Sequence, residues 1–102
     1  MIYYVDIDGT ICSVELDENG NVDYTKTKPY MDRIKKINDL YDQGHEVHYY
    51  TARGSASGID RSELTLNQIL EWGVKHTSLA LKKPAYDLWI DDKAINSEDF
   101  FK

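Results

Sequence analysis

Thiols are almost missing from this chain. Cys12 is the only cysteine, which excludes an internal disulfide and leaves too few thiolates for a cysteine-based metal site. It reads as a small buried or half-buried residue beside a loop. No apolar run is long enough to span a bilayer, and the N-terminus has neither the basic start nor the apolar stretch of a signal peptide, so a cytoplasmic location is expected. No Pro/Gly/Ser-rich linker, repeat or low-complexity tract interrupts the 102 residues, which predicts a single domain over 1–102. Cations are in the minority, with 12 Lys and Arg against 18 Asp and Glu and a net charge of −6. A polyanion is normally held by a surplus of cations that releases counterions, so the balance argues against nucleic acid as a partner. Lys26, Lys28, Arg33, Lys35 and Lys36 are the one group that would make a basic patch. His45, His48 and His76 lack the spacing of a metal cluster, since positions i and i+3 on a strand face opposite ways.

What is present is enough for a core, at 41% apolar and 12% aromatic residues, arranged as alternating strands and helices. Ile2 to Val5 reads as a buried strand running straight into Asp6-Ile7-Asp8-Gly9-Thr10. From Gly9 to Lys28 the chain is polar, and Glu18-Asn19-Gly20-Asn21 carries the Asn-Gly signal of a tight hairpin, which predicts a small β-flap. Pro29 suits a first helical position, and Met31, Ile34, Ile37, Leu40 and Tyr41 recur at helical spacing up to a stop at Gly44. Glu46 to Thr51 predicts a second strand, and Ala52 to Gly58 a loop of small residues. Asp60-Arg61-Ser62-Glu63 resembles a capping box opening a helix through Trp72, with Leu66, Ile69 and Leu70 inward and Gly73 as its stop. A strand near Thr77 to Leu81, a turn at Lys83-Pro84, a strand at Asp87 to Asp91 and a short terminal helix complete the reading. Trp72 and Trp89 read as core. This order predicts an α/β domain of Rossmann-like type, with a parallel sheet covered by helices on both faces.

Asp6 and Asp8 share a face of the extended segment and repel, a situation that a cation relieves. Ligands of such sheets sit beyond the carboxyl ends of the strands, where strand order reverses. Asp6 and Asp8, Thr51, and Asp91 and Asp92 all stand at ends of that kind, with Lys83 a short turn before the last strand.

In order and spacing DIDGT, Thr51 of YYTARG, Lys83 of KKPAYD and the terminal IDD resemble the four motifs of the haloacid dehalogenase (HAD) superfamily. GHEVHYYTARG, EWGVKH and KPAYDLWIDDKAIN also look like small HAD phosphatases associated with capsular polysaccharide biosynthesis. The resemblance implies a phosphomonoester hydrolase. Asp6 would be the nucleophile, forming an aspartyl-phosphate, and Asp8 the acid that protonates the leaving alkoxide and then activates water. Mg²⁺ would be held by the Asp6 carboxylate, the Asp8 backbone carbonyl and the Asp92 carboxylate, with Asp91 behind them orienting water or Lys83. Thr51 would hydrogen-bond a phosphoryl oxygen and Lys83 would neutralise its charge, with Lys82 the alternative for that role. Gly9 permits the sharp turn after the strand, amides at Gly9 and Thr10 would contact phosphate, and Arg53 would meet the leaving group or form a solvent-facing salt bridge.

Asp8 to Thr51 has room only for a flap, a helix and a strand, and Thr51 to Lys83 for one helix and a strand. The reading is therefore a capless domain, open to water, acting on a small phosphorylated substrate such as a sugar phosphate. The carboxyl at Asp8 separates it from the ATPase branch, which carries Thr there. Two alternatives stand beside it: a phosphatase of macromolecules (a nucleic-acid 3′-phosphate or a phosphoprotein), and a non-catalytic metal-binding module. A homo-oligomer is compatible with all three.

Overall fold

The computed structural model describes all 102 residues. Strand Ile2–Val5 (β1) leads through a long ribbon into helix Met31–Asp42 (α1), and strand Glu46–Tyr50 (β2) follows. Helix Ser62–Glu71 (α2), strand Ser78–Ala80 (β3) and a single helical turn, Ser97–Phe100 (α3), complete the order. All strands are parallel, in the spatial order β1-β2-β3, with Ile2 beside Glu46 and His48 beside Ser78.

This order explains a departure from expectation. Both crossovers step in the same direction, and a right-handed β-α-β connection then sets both helices on the same face of the sheet. That face carries Val5, Val47 and Tyr49, which form one core with Ile34 and Ile37 of α1, Ile69 of α2 and Trp72 just after it. The alternate residues Ile2 and Tyr4 remain 61% and 70% exposed, with Tyr4 stacked on His48 and edge-on to Tyr50. The sheet is covered on one face, not two. Asp87 to Asp91 form no strand, and the three strands contain no reversal of order. Leu88 and Ile90 there are 76% and 89% exposed.

The hairpin forms where Asn-Gly predicts it: Leu16 pairs antiparallel with Val22, and Gly20 turns at φ +82°. Helix α1 starts after Pro29, because Pro29 pairs with Cys12 and the Tyr30 amide donates to the Ile11 carbonyl. Gly44, at φ +95°, stops that helix as expected, letting the His45 amide return to the Leu40 carbonyl. At α2 the Asp60 carboxylate accepts from the Ser62 amide at 2.9 Å. Its buried face is Thr65, Gln68 and Ile69, whereas Leu66 and Leu70 are 45% and 66% exposed. No helix is long and apolar enough to cross a membrane.

Candidate active site

The backbone leaves β1 with Ile7 wholly buried, which turns Asp6 and Asp8 together to the opposite side. Both line a cavity of about 240 Å³ beyond the carboxyl ends of β1 and β2, together with Thr51, Ala52 and Arg53 from the end of β2. Val14, Val22 and Tyr24 of the hairpin ribbon form its remaining wall. The repulsion between the two carboxylates is relieved by a different protein cation for each. Lys83 Nζ lies 3.9 Å from Asp6 Oδ1, and Arg53 holds Asp8 by both oxygens, Nε to Oδ2 at 2.9 Å and Nη2 to Oδ1 at 2.8 Å.

Arg53 is thus not the solvent-facing salt bridge that is one expectation for it. Its side chain is 0% exposed. Every N–H of the guanidinium has a partner: Asp8 takes two, Thr65 Oγ1 and Gln68 Oε1 take those of Nη1, and Cys12 Sγ stands 4.0 Å from Nη2. A buried guanidinium needs this many acceptors, which explains why α2 turns Thr65 and Gln68 inward in place of Leu66 and Leu70. Gln68 then donates through Nε2 to the Tyr24 carbonyl at 2.6 Å, and the Tyr24 ring lies 4.7 Å from the Arg53 guanidinium. The ribbon, α2 and Asp8 are joined through one side chain. Cys12 is fully buried as expected, and burial together with the Asp8 charge pushes its thiol up to about 12.

Thr51 is 1% exposed, and its hydroxyl accepts from the Arg53 amide at 3.2 Å, leaving its own proton for a ligand. Lys83 is steered by two aromatic rings, Tyr86 at 4.9 Å and Trp89 at 5.5 Å. Trp89 is therefore not core; it is 45% exposed and stands against Lys83, while Trp72 is core. Lys82 is exposed and pairs with no acid, so Lys83, 3.9 Å from Asp6, is the lysine brought to it. Burial raises the Asp6 carboxyl above its ordinary 3.8, against the opposing pull of Lys83.

Other expected members are elsewhere. Gly9 turns at φ +78°, as the sharp exit requires, but its amide donates to the Cys12 carbonyl and that of Thr10 to the Ile7 carbonyl. These amides close the loop and do not face the cavity. Asp91 accepts from the Lys93 amide at 2.9 Å and Asp92 is exposed; neither lines the cavity. No group of three or more His, Cys, Asp or Glu side chains is placed to hold a metal ion. The expected basic patch is largely neutralised: Lys26 pairs with Asp23, Arg33 with Glu98 and Lys35 with Asp39, while Lys36 donates to the Phe100 carbonyl. Tyr24, Thr65 and Gln68 were not legible as site residues. Only the i, i+3 spacing of Thr65 and Gln68 inside an apolar helix hinted at a buried polar partner.

No family model and no curated protein sequence matches the chain. Among solved structures the chain resembles a crystallised structural-genomics target from Vibrio cholerae, at 21% identity over 98% of this chain and 86% of that one, with a TM-score of 0.78. The two share a small α/β fold.

Proposed function

We propose that the chain is a phosphomonoester hydrolase of HAD type, capless, acting through Asp6 as nucleophile on a small phosphorylated substrate. The observation that carries the reading is the meeting of Asp6, Thr51 and Lys83, from three distant stretches, at the carboxyl edge of a parallel sheet. A phosphate dianion there would be neutralised by the Lys83 ammonium and hydrogen-bonded by the Thr51 hydroxyl. An Asp6 oxygen attacks phosphorus, the bond to the leaving oxygen breaks, and an aspartyl-phosphate forms. Asp8 gives a proton to the leaving oxygen, then takes one from the water that releases phosphate and restores Asp6. Arg53 fixes where that carboxyl stands. Mg²⁺ is the expected cofactor by family resemblance; the Asp6 carboxylate, the Asp8 carbonyl and the Asp92 carboxylate would hold it and it would supply neutralising charge, and no step above passes through it. The paired cations support a small substrate over a nucleic acid.

The hold of Arg53 on both Asp8 oxygens favours a second reading, a phosphate-binding module without turnover. Hydrolysis of p-nitrophenyl phosphate and of sugar phosphates distinguishes the two. The expected result is turnover that disappears in Asp6→Asn and in excess chelator, and returns with Mg²⁺. Turnover that survives Asp6→Asn would remove Asp6 as nucleophile. Binding of inorganic phosphate with no turnover of any ester would establish the module.

A further inference from the structure

A second and larger hollow, about 460 Å³, adjoins the first along the same edge of the sheet and shares Arg53 with it. It lies between the loop after β2 and the residues after β3, and Ser55, Arg61, Ser62, Leu81 and Lys82 line it. The loop is shaped for this. Gly54 turns at φ +83°, and a Cβ there would collide with the Ile59 carbonyl, so only glycine lets the chain fold back tightly.

Two cations line this groove without an ion-pair partner. Neither Arg61 nor Lys82 belongs to any ion pair of the chain, although acids outnumber bases and most other cations near the site are paired. The one acid on the groove wall, Asp60, is engaged by the Ser62 amide and hydroxyl, which hold it below the ordinary carboxylate range. The Nε–H of Arg61 is buried with no acceptor. Arg61 also stands over the Tyr24 ring at 5.3 Å, on the same ring that Arg53 faces, so it lies beside the wall of the catalytic cavity.

We infer that this groove is the leaving-group subsite, and that it takes a leaving group bearing a carboxylate. The inference rests on the phosphatase reading and narrows its substrate class. With the phosphoryl group at Lys83 and Thr51, the rest of the ester passes Arg53 and Tyr24 into the groove, where Arg61 and Lys82 meet its carboxylate and the Ser55 and Ser62 hydroxyls meet neutral oxygens. A planar guanidinium fork suits a carboxylate better than a lone hydroxyl does.

Two probes of the same carbon skeleton test it: 3-phosphoglycerate, whose leaving group carries a carboxylate, and glycerol 3-phosphate, whose leaving group is neutral. Binding is measured by calorimetry to the Asp6→Asn protein, which avoids turnover, and hydrolysis is measured with the unsubstituted protein. The expected result is binding of 3-phosphoglycerate about tenfold or more tighter, as for a charge-assisted hydrogen bond. That ratio should fall toward one when Arg61→Ala and Lys82→Ala are combined, and recover in part with Arg61→Lys. Equal binding of the two probes, or a ratio that survives the double substitution, overturns the subsite while hydrolysis of either ester leaves the phosphatase reading standing. If neither ester binds, the subsite falls, and hydrolysis of p-nitrophenyl phosphate decides separately whether the phosphatase reading falls with it.

Discussion

At the scale of single residues, Arg53 and Asp8 govern more of this protein than their sequence context suggests. The pair is buried on the arginine side and satisfied at every donor, so removing the cation leaves a partly buried carboxylate and two acceptors on α2 without partners. Breaking such a pair costs about 3–5 kcal/mol. Arg53→Met is expected to lower unfolding stability by an amount in that range, measured by urea titration at pH 7, and Arg53→Lys by less. A loss under about 1 kcal/mol, the range of an exposed ion pair, would place Arg53 at the surface. Asp6 behaves in the opposite way. Its carboxyl is raised by burial, so the folded state binds the proton more tightly than the unfolded one. The associated stability is complete below the ordinary value of 3.8 and declines as pH rises through the folded value. Asp6→Asn removes that decline. Its melting temperature should exceed that of the unsubstituted protein at pH 7, with the difference closing below pH 3.8. A difference unchanged between the two conditions would mean that ionisation is not its source.

At the scale of elements, the segment from Asp87 to Asp91 separates pattern from placement. Its apolar and acidic residues read as a strand, yet it pairs with nothing and exposes Leu88 and Ile90, while Tyr86 and Trp89 stand against Lys83. Amides without ladder partners exchange from states close to native, whereas those of a central strand require much larger openings. Hydrogen exchange should therefore be fast across 87–91 and slow across β2, which is paired on both sides. Protection of 87–91 equal to that of β2 would show this segment docked as a fourth strand. Helix α2 makes the complementary point: it ends before Gly73 as expected, but the capping box does not form, since Arg61 is its N-cap without a side-chain cap, and its buried face does not follow its leucines. The acceptors that Arg53 requires decide its rotation.

At the scale of the whole molecule, two features combine. Only one face of the sheet is covered, leaving Ile2 and Tyr4 exposed, and the net charge of −6 keeps molecules apart at pH 7. Near the isoelectric point, about 4.9, that repulsion vanishes while the open face remains. Light scattering should show association as pH falls toward 5, and Tyr4→Glu should suppress it. Association unaffected by Tyr4→Glu would place the contact elsewhere.

The sequence by itself determined the elements that depend on local chemistry: β1 and β2 from β-branched and aromatic residues, the hairpin from Asn-Gly, and the stop of α1 from a glycine at positive φ. It also marked Asp6, Asp8, Thr51 and Lys83 as candidates, because strand ends in an alternating pattern face a common edge. Tertiary structure alone decided the rest. The one-sided cover of the sheet follows from the handedness and direction of two crossovers, which no local pattern records. Arg53 is buried because Asp8, Thr65 and Gln68, far apart in the chain, converge on one guanidinium, and a cation is held in an interior only where every donor finds an acceptor.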